Sequence, residues 1–300
     1  MPSYHARGVQ TRFSMTSPLY QQIQQFYDAS SGLWEQTWGE HMHHGYYGPT
    51  GTIRKERRQA QIDLIEEFLA WGGVTTAQHI LDAGCGIGGS ALYLAEKYQA
   101  QVIGITLSPV QANRATERAA AAGLDLGKPP CAEFRVADAQ ATPFNDQQFD
   151  LIWSMESGEH MPNKAAFLQE CYRLLKPGGR LLMATWCHRP TDSLAGPLTA
   201  DEQRHLADIY RVYALPYVIS LPEYADLANQ CGFRNLETAD WSEAVAPFWD
   251  LVIGSVLSWD AIAGLIQAGW PAIQGALALG LMRQGFQRGL IRYGLLTGIR

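Results

Sequence analysis

Two short stretches of this chain concentrate titratable side chains. GEHM occurs at residues 39–42, where it runs on into GEHMHHGYYG (39–48), and again at residues 158–161 within SMESGEHMPNK (154–164). Imidazole and carboxylate groups at such density suit two chemistries, metal ligation and proton transfer near neutral pH. The spacing is poor for a metal. His41 and His43 alternate while His43 and His44 are adjacent, so no single helix or strand face presents all three. A zinc site also draws on a further Cys, His or carboxylate, and no other close histidine pair occurs. No metal is expected. Proton transfer remains, with His160, Glu159 and Glu156 as candidate bases from one stretch and His43 and His44 from the other. The residues do not choose among them, and Glu159 and His160 could equally cap a following helix.

A third stretch is built to approach a ligand with backbone. LDAGCGIGG (81–89) satisfies G-x-G-x-x-G through Gly84, Gly86 and Gly89, and D-x-G-x-G-x-G through Asp82, Gly84, Gly86 and Gly88. Glycines allow a tight strand-to-helix turn. Asp82 adds information, because a carboxylate there can hold an ammonium group, which S-adenosylmethionine has and a nicotinamide dinucleotide lacks. The following strand ends in GITLSPVQ, with Thr106 where a dinucleotide-binding enzyme relies on an acid. Thr106 and Gln111 could contact a ribose as neutral partners.

The elements that must position these residues are legible from apolar periodicity. A helix is expected over 17–27, a Gly- and aromatic-rich loop after it, and a helix over 53–71. Strands are expected at 79–84, 101–107, 132–138, 149–155 and 180–186, with helices over 88–98, 109–123 and 163–175 and a KPGG turn at 176–179. Residues 199–231 read as mainly helical, 232–241 as a strand, 244–288 as apolar helix, and the terminal RYGLLTGIR as a last strand. Strand–helix alternation with short connections predicts an α/β fold, a parallel sheet covered by helices on both faces. Ligands on such sheets lie beyond the carboxyl ends of the strands, which is where the glycine loop and the second GEHM fall.

Composition narrows the class. The chain of 300 residues is 47% hydrophobic and 17% charged, enough apolar material for a large core. A net charge of −6 argues against a nucleic-acid partner. Five widely spaced cysteines without a CxxC indicate reduced thiols, not a disulfide framework. Residues 261–282 carry no charge and approach the length of a membrane span, but Gln267, Gln274 and Pro271 dilute that signal. Buried helices, or a surface resting on lipid, are expected there instead.

Taken in order, LDAGCGIGG, GITLSPVQ, Asp138-Ala139, Asp150 and KPGG resemble the motifs of the class I S-adenosylmethionine-dependent methyltransferases over about residues 60 to 300. The resemblance implies a Rossmann-like sheet whose last strand is antiparallel, and S-adenosyl-L-methionine as cofactor. It implies cofactor contacts from Asp82, Gly84, Cys85, Gly86, Gly88, Thr106, Leu107, Gln111, Asp138, Ala139, Ser154 and Tyr27, with Asp138-Ala139 at the adenine. Thr106 departs from the family's acid at that position. Cyclopropane-fatty-acid synthases share the GITLSPVQ-like turn, but they carry a histidine in strand five where this chain has Ala184. The γ-tocopherol methyltransferase branch is similar over nearly the whole chain, in FYDASSGLWEQTWGEHMHHGYYGP, LDAGCGIGGS, SMESGEHMPNK, ATWCHRP and YGLLTGI.

That similarity implies methyl transfer to a ring carbon ortho to the hydroxyl of γ- or δ-tocopherol, in a bacterial protein of cyanobacterial type. Other members of the branch methylate alkaloid nitrogens, so membership leaves the acceptor open. A non-catalytic lipid or quinone carrier is the reading from another class, against which the intact glycine loop argues. For a lipophilic acceptor, Trp34, Tyr46, Tyr47 and Trp186, joined by His188 and Trp249, could pack the ring, and residues 246–270 could wall an isoprenoid tail. The expected organisation is a disordered extension (1–16), a lid (17–52), a cofactor core (53–190), and a remainder (191–300) with helical insertions at 199–231 and 244–288 and a final strand at 290–299. The expected location is cytoplasmic, with peripheral contact to thylakoid or plasma membrane through the C-terminal apolar helices.

Overall fold

The computed structural model of the chain describes residues 18–125, 127–256 and 270–300. The expected extension at 1–16 lies outside the described residues, as do residues 261–269 of the uncharged stretch and the side chains of Trp34 and of residues 270–277.

A seven-stranded sheet in the order β3-β2-β1-β4-β5-β7-β6 forms the centre. Its strands are β1 (His79–Ala83), β2 (Gln101–Thr106), β3 (Cys131–Val136), β4 (Phe149–Met155), β5 (Leu175–His188), β6 (Arg234–Asp240) and β7 (Ile291–Ile299). β1 to β5 run parallel to one another, and β7 enters antiparallel between β5 and β6, pairing Ala184 with Leu295 and Trp186 with Tyr293. The central strands are continuous apolar runs because helices cover both faces. One core gathers Phe68, Leu94, Trp153, Trp249 and Tyr293; the other gathers Ile103, Phe149, Phe167, Leu181 and Tyr224.

The helices are α1 (Pro18–Trp38), α2 (Arg57–Trp71), α3 (Gly89–Tyr98), α4 (Pro109–Ala121), α5 (Lys164–Leu174), α6 (Ala200–Val212), α7 (Leu221–Cys231), α8 (Ser242–Val245), α9 (Pro247–Val256) and α10 (Trp270–Gln287). Their starts follow local chemistry. Ser108 accepts from the Gln111 amide ahead of Pro109, Asn163 accepts from the Ala166 amide, and Thr199/Glu202 and Ser220/Glu223 form capping boxes.

Three local expectations are corrected. α1 continues to Trp38 through residues read as loop. Ser31 Oγ donates to Tyr27 O within the helix, and Asp28 and Glu35 meet Ser108 and Arg114 of the α4 segment, so tertiary contacts outweigh the glycine at 32. KPGG is no free turn: it lies inside β5, where the β4–β5 register shifts between Phe149 and Leu151, and the Gly178 amide donates to Arg300 O. The helical span expected at 244–288 is broken, with Pro247 separating α8 from α9.

Candidate functional site

A cavity of about 150 Å³ opens at the carboxyl ends of β1, β2, β3, β4 and β5 and is covered by α1 and the 40–43 segment. Each wall has a structural cause. The Gly84 and Cys85 amides donate to Ile105 O, which bends the chain sharply after β1. Ser157 then staples the loop after β4 to that bend, donating to Ala83 O at 2.5 Å. Gly84, at φ +92°, has the Ser157 side chain where a Cβ would sit. Gly88 and Gly89 are needed for packing too, against Phe134 and against the Glu40 backbone. Gly86 is different: a Cβ there would meet only Met42 Sδ, at 3.9 Å, so its face is open to the cavity.

Asp82 sits at the floor of that cavity, almost fully buried, and its Oδ2 has no hydrogen-bond partner. Burial raises its carboxyl to about 7, although the Ala91 amide pulls the other way. A buried carboxylate oxygen without a partner is costly unless a cationic ligand meets it, and the ammonium group of S-adenosylmethionine is such a ligand. Further along, Thr106 Oγ1 donates to Gln111 Oε1 at 2.7 Å, and Gln111 Nε2 donates to Ser31 Oγ at 3.1 Å. Both therefore face the cavity as one neutral unit, the arrangement a ribose would find in place of an acid. Asp138 accepts from the Gln140 amide at 2.9 Å and from the Tyr20 hydroxyl at 2.7 Å, so α1 reaches the cavity wall after β3. These residues fit the cofactor.

The other end of the cavity holds the proton-transfer candidates. Glu156 follows β4 in a left-handed conformation (φ +54°), and its carboxylate meets His44. Glu156 Oε1 accepts from the His44 amide at 2.8 Å and the Tyr293 hydroxyl at 3.0 Å, and Oε2 meets His44 Nδ1 at 2.8 Å. Burial pushes this carboxyl up, but His44 and His43 outweigh burial and hold it below its usual range, so it is ionised. His43 Nδ1 donates to His44 O at 2.7 Å. Burial lowers the His43 pKa, so the ring is neutral, its proton is on Nδ1, and Nε2 is a bare lone pair without a partner.

Glu159 follows a different course. Its Oε2 accepts from Thr185 Oγ1 at 2.8 Å, and burial, reinforced by the Glu156 charge, raises it to about 8. It is a neutral acid at pH 7. His160 Nε2 shares a 2.6 Å hydrogen bond with the Tyr27 hydroxyl, and burial together with the Lys164 charge lowers its pKa to about 3. Lys164 holds this turn from beneath, donating to Gly158 O at 2.9 Å and Glu159 O at 2.8 Å.

Of the residues singled out from sequence, Tyr27, Asp82, Gly84, Cys85, Gly86, Thr106, Leu107, Gln111, Asp138 and Ala139 line this cavity, as do His43, Glu156, Glu159, His160 and Trp186. Others do not. His44 is buried among Phe248, Trp249 and Tyr293 and acts through Glu156. Tyr46 packs on Trp241, Tyr47 is buried in the core, and Trp249 closes around His44. His188 donates to Arg189 O, Ser154 is bonded to Ser157, and Gly88 packs beneath the loop. Among the described residues no three His, Cys, Asp or Glu side chains converge as a metal site. His41 lies 5.3 Å from His43 ring to ring, and burial lowers its pKa to about 3.

Sequence reasoning missed Ser157 and Tyr213, both of which line the cavity. Ser157 carried a weak signal, being the residue before the second GEHM. Tyr213 carried none, because it is the cap residue of α6 and reaches the site only through the packing of that insertion.

With this geometry in place, comparison with known proteins is informative. Residues 81–183 match the family described as Methyltransferase domain. The chain is 45% identical over 291 residues to "Tocopherol O-methyltransferase, chloroplastic" from Arabidopsis thaliana, covering 94% of this chain and 82% of that protein. It is 34% identical over 308 residues to "2-methyl-6-phytyl-1,4-hydroquinone methyltransferase" from Synechocystis sp. (strain ATCC 27184 / PCC 6803 / Kazusa), covering 98% and 90%. Geranyl diphosphate C-methyltransferase from Streptomyces coelicolor A3(2), solved with S-adenosyl-L-homocysteine, superposes with a TM-score of 0.74 at 21% identity, covering 96% of this chain and 99% of its own, a likeness of fold alone.

Proposed function

The chain belongs to the class I S-adenosylmethionine-dependent methyltransferase family, and from that premise we propose that it methylates the chromanol ring of γ-tocopherol, and of δ-tocopherol, at the carbon ortho to the phenolic hydroxyl. S-adenosylmethionine supplies an electrophilic sulfonium methyl when bound. The chain's own contribution is alignment, proton removal and exclusion of water. Holding a reactive carbon in line at near-contact distance is worth about 7–11 kcal/mol of barrier. The observation that carries the proposal is the bare, unpartnered Nε2 of His43 in the same cavity as the ionised Glu156. His43 Nε2 takes the phenolic proton, which raises electron density at the ortho carbon. Glu156, one of the charges that favour a protonated His43, supports the resulting imidazolium. Glu159, a neutral acid, adds no second negative charge.

The acceptor assignment draws on the relatives' names, which are a tocopherol and a prenylated hydroquinone methyltransferase. Both describe a phenol carrying an isoprenoid tail. Such a tail favours peripheral contact with a membrane by a protein of cyanobacterial type, and no helix among the described residues is long and apolar enough to cross one. The test presents γ-tocopherol and 2-methyl-6-phytyl-1,4-hydroquinone in liposomes with labelled S-adenosylmethionine. Labelled α-tocopherol with a free hydroxyl is expected, with the protein floating with the vesicles. A labelled methyl ether would move the reaction to oxygen, and label in the hydroquinone alone would replace the acceptor.

A further inference from the structure

Among the described residues, the buried tyrosines Tyr20, Tyr224 and Tyr293 and the half-buried Tyr27 all have hydrogen-bonded hydroxyls. Tyr213 does not, and neither does Tyr47, but only Tyr213 lines the cavity. Of the buried indole nitrogens without partners, those of Trp153, Trp186 and Trp249, only that of Trp186 belongs to a cavity-lining residue. The two rings meet edge to face, 5.5 Å apart at 88°. Each is 5% exposed. An unpaired buried donor is a cost a folded protein rarely carries without a reason, and here two stand together at a ligand cavity.

We propose that Tyr213 Oη–H and Trp186 Nε1–H form a donor corner that binds the acceptor's phenolic oxygen and stabilises it as phenolate during transfer. The corner rests on the reading of the acceptor given above and deepens it. Charge decides the substrate class. Among the described residues no lysine or arginine lines the cavity, so a phosphorylated or carboxylated acceptor would lie there without a countercharge. An amine acceptor needs hydrogen-bond acceptors where these groups offer donors. A phenol that ionises only when its proton leaves is matched by neutral donors fixed in advance.

The donors are rigidly held. Trp186 is on β5, paired with Tyr293 of β7, and Tyr213 caps α6, which His205 Nε2 ties to Leu281 O of α10 at 2.9 Å. The proton passes to another group of the same cavity: the O–H bond breaks, the pair stays on the phenolic oxygen between the two donors, and His43 Nε2 gains the proton. Among the described residues, Tyr27, Glu40, His43, Asp82, Cys85, Asp138, Glu156, Glu159 and His160 are the other titratable groups that line the cavity.

Tyr213→Phe keeps the ring and removes the donor. The expected result is a fall in kcat/KM for γ-tocopherol of about 10- to 100-fold, with S-adenosylhomocysteine affinity unchanged. The rising limb of kcat against pH moves up by about one unit, because a tenfold weaker hold on the phenolate is one pH unit. The melting temperature of the free protein stays level or rises, since an unpaired hydroxyl has been removed from its interior. A wild-type kcat/KM, an equal loss of S-adenosylhomocysteine affinity, or a lowered melting temperature would each overturn the corner. Failure of the wild-type protein to turn over γ-tocopherol would instead remove the acceptor reading, and the corner with it.

Discussion

Adjacent histidines in HMHH both spend Nδ1, His43 on a carbonyl and His44 on a carboxylate, and have separate fates because only the His43 ring lines the cavity. His43 keeps Nε2 for the cavity, whereas His44 spends Nδ1 on Glu156 and turns its ring into the core. His43→Asn should retain a donor near His44 O while deleting Nε2. Turnover is expected to fall about 10²- to 10⁴-fold with S-adenosylhomocysteine affinity intact. His44→Ala should instead strip a buried carboxylate of its main partner and cost about 3–5 kcal/mol of stability, read from a urea midpoint. If both variants lost stability equally and neither spared cofactor binding, the division of labour would be wrong. His160 spends Nε2 on the Tyr27 hydroxyl of α1, so that nitrogen is already engaged.

At the scale of elements, the glycine loop and the turn after β4 form one unit. Ser157 occupies the space a Gly84 side chain would need, and Lys164 supports the turn through two carbonyls. Gly84→Ala therefore meets both a left-handed backbone and the Ser157 side chain, and should lower the melting temperature sharply. Gly86→Ala meets only the backbone cost, having open space before it, yet it fills the face that the cofactor approaches. Its melting temperature should fall less while S-adenosylhomocysteine affinity falls more. Calorimetric melting and isothermal titration of the pair separate the two effects; identical behaviour would deny that the glycines have different roles. α1 ties down the same region from above, through Tyr20 on Asp138, Asp28 on Ser108 and Glu35 on Arg114. The exposed Glu35–Arg114 pair contributes little by itself.

For the whole molecule, buried ionisable groups at and beside the cavity contribute opposing slopes to the pH dependence of folding. Lys164, lowered by burial from 10.5 to about 7, adds stability as pH rises above about 7. His41 and His160 drop from 6.5 to about 3, so the unfolded chain binds more protons and stability rises with pH up to about 6.5. Asp82 rises from 3.8 to about 7 and Glu159 from 4.5 to about 8. There the folded state binds more protons, and stability declines through that window as pH rises. Glu159→Gln should flatten the decline between pH 4.5 and 8 and raise the melting temperature at pH 8. A melting temperature at pH 8 no higher than wild type would show that Glu159 ionises normally.

How much of this was legible in the chain depends on how local the cause is. Apolar runs, caps and a glycine loop act within a few residues, so β1 to β5, their helices and the cofactor loop could be read directly from LDAGCGIGG, GITLSPVQ and their neighbours. The extent of α1 could not, because its later turns are held by contacts with Ser108 and Arg114. The site divides the same way. Sequence alone determined the strand ends at which chemistry must occur and the residue types available there, since alternation and turn chemistry fix which segments reach the sheet's carboxyl edge. Only the tertiary structure decided which histidine nitrogen is free, which carboxyl is ionised, and that Tyr213 belongs to the cavity. Those properties arise from burial and from partners far apart in the chain, which meet only when the lid and the insertions pack onto the sheet.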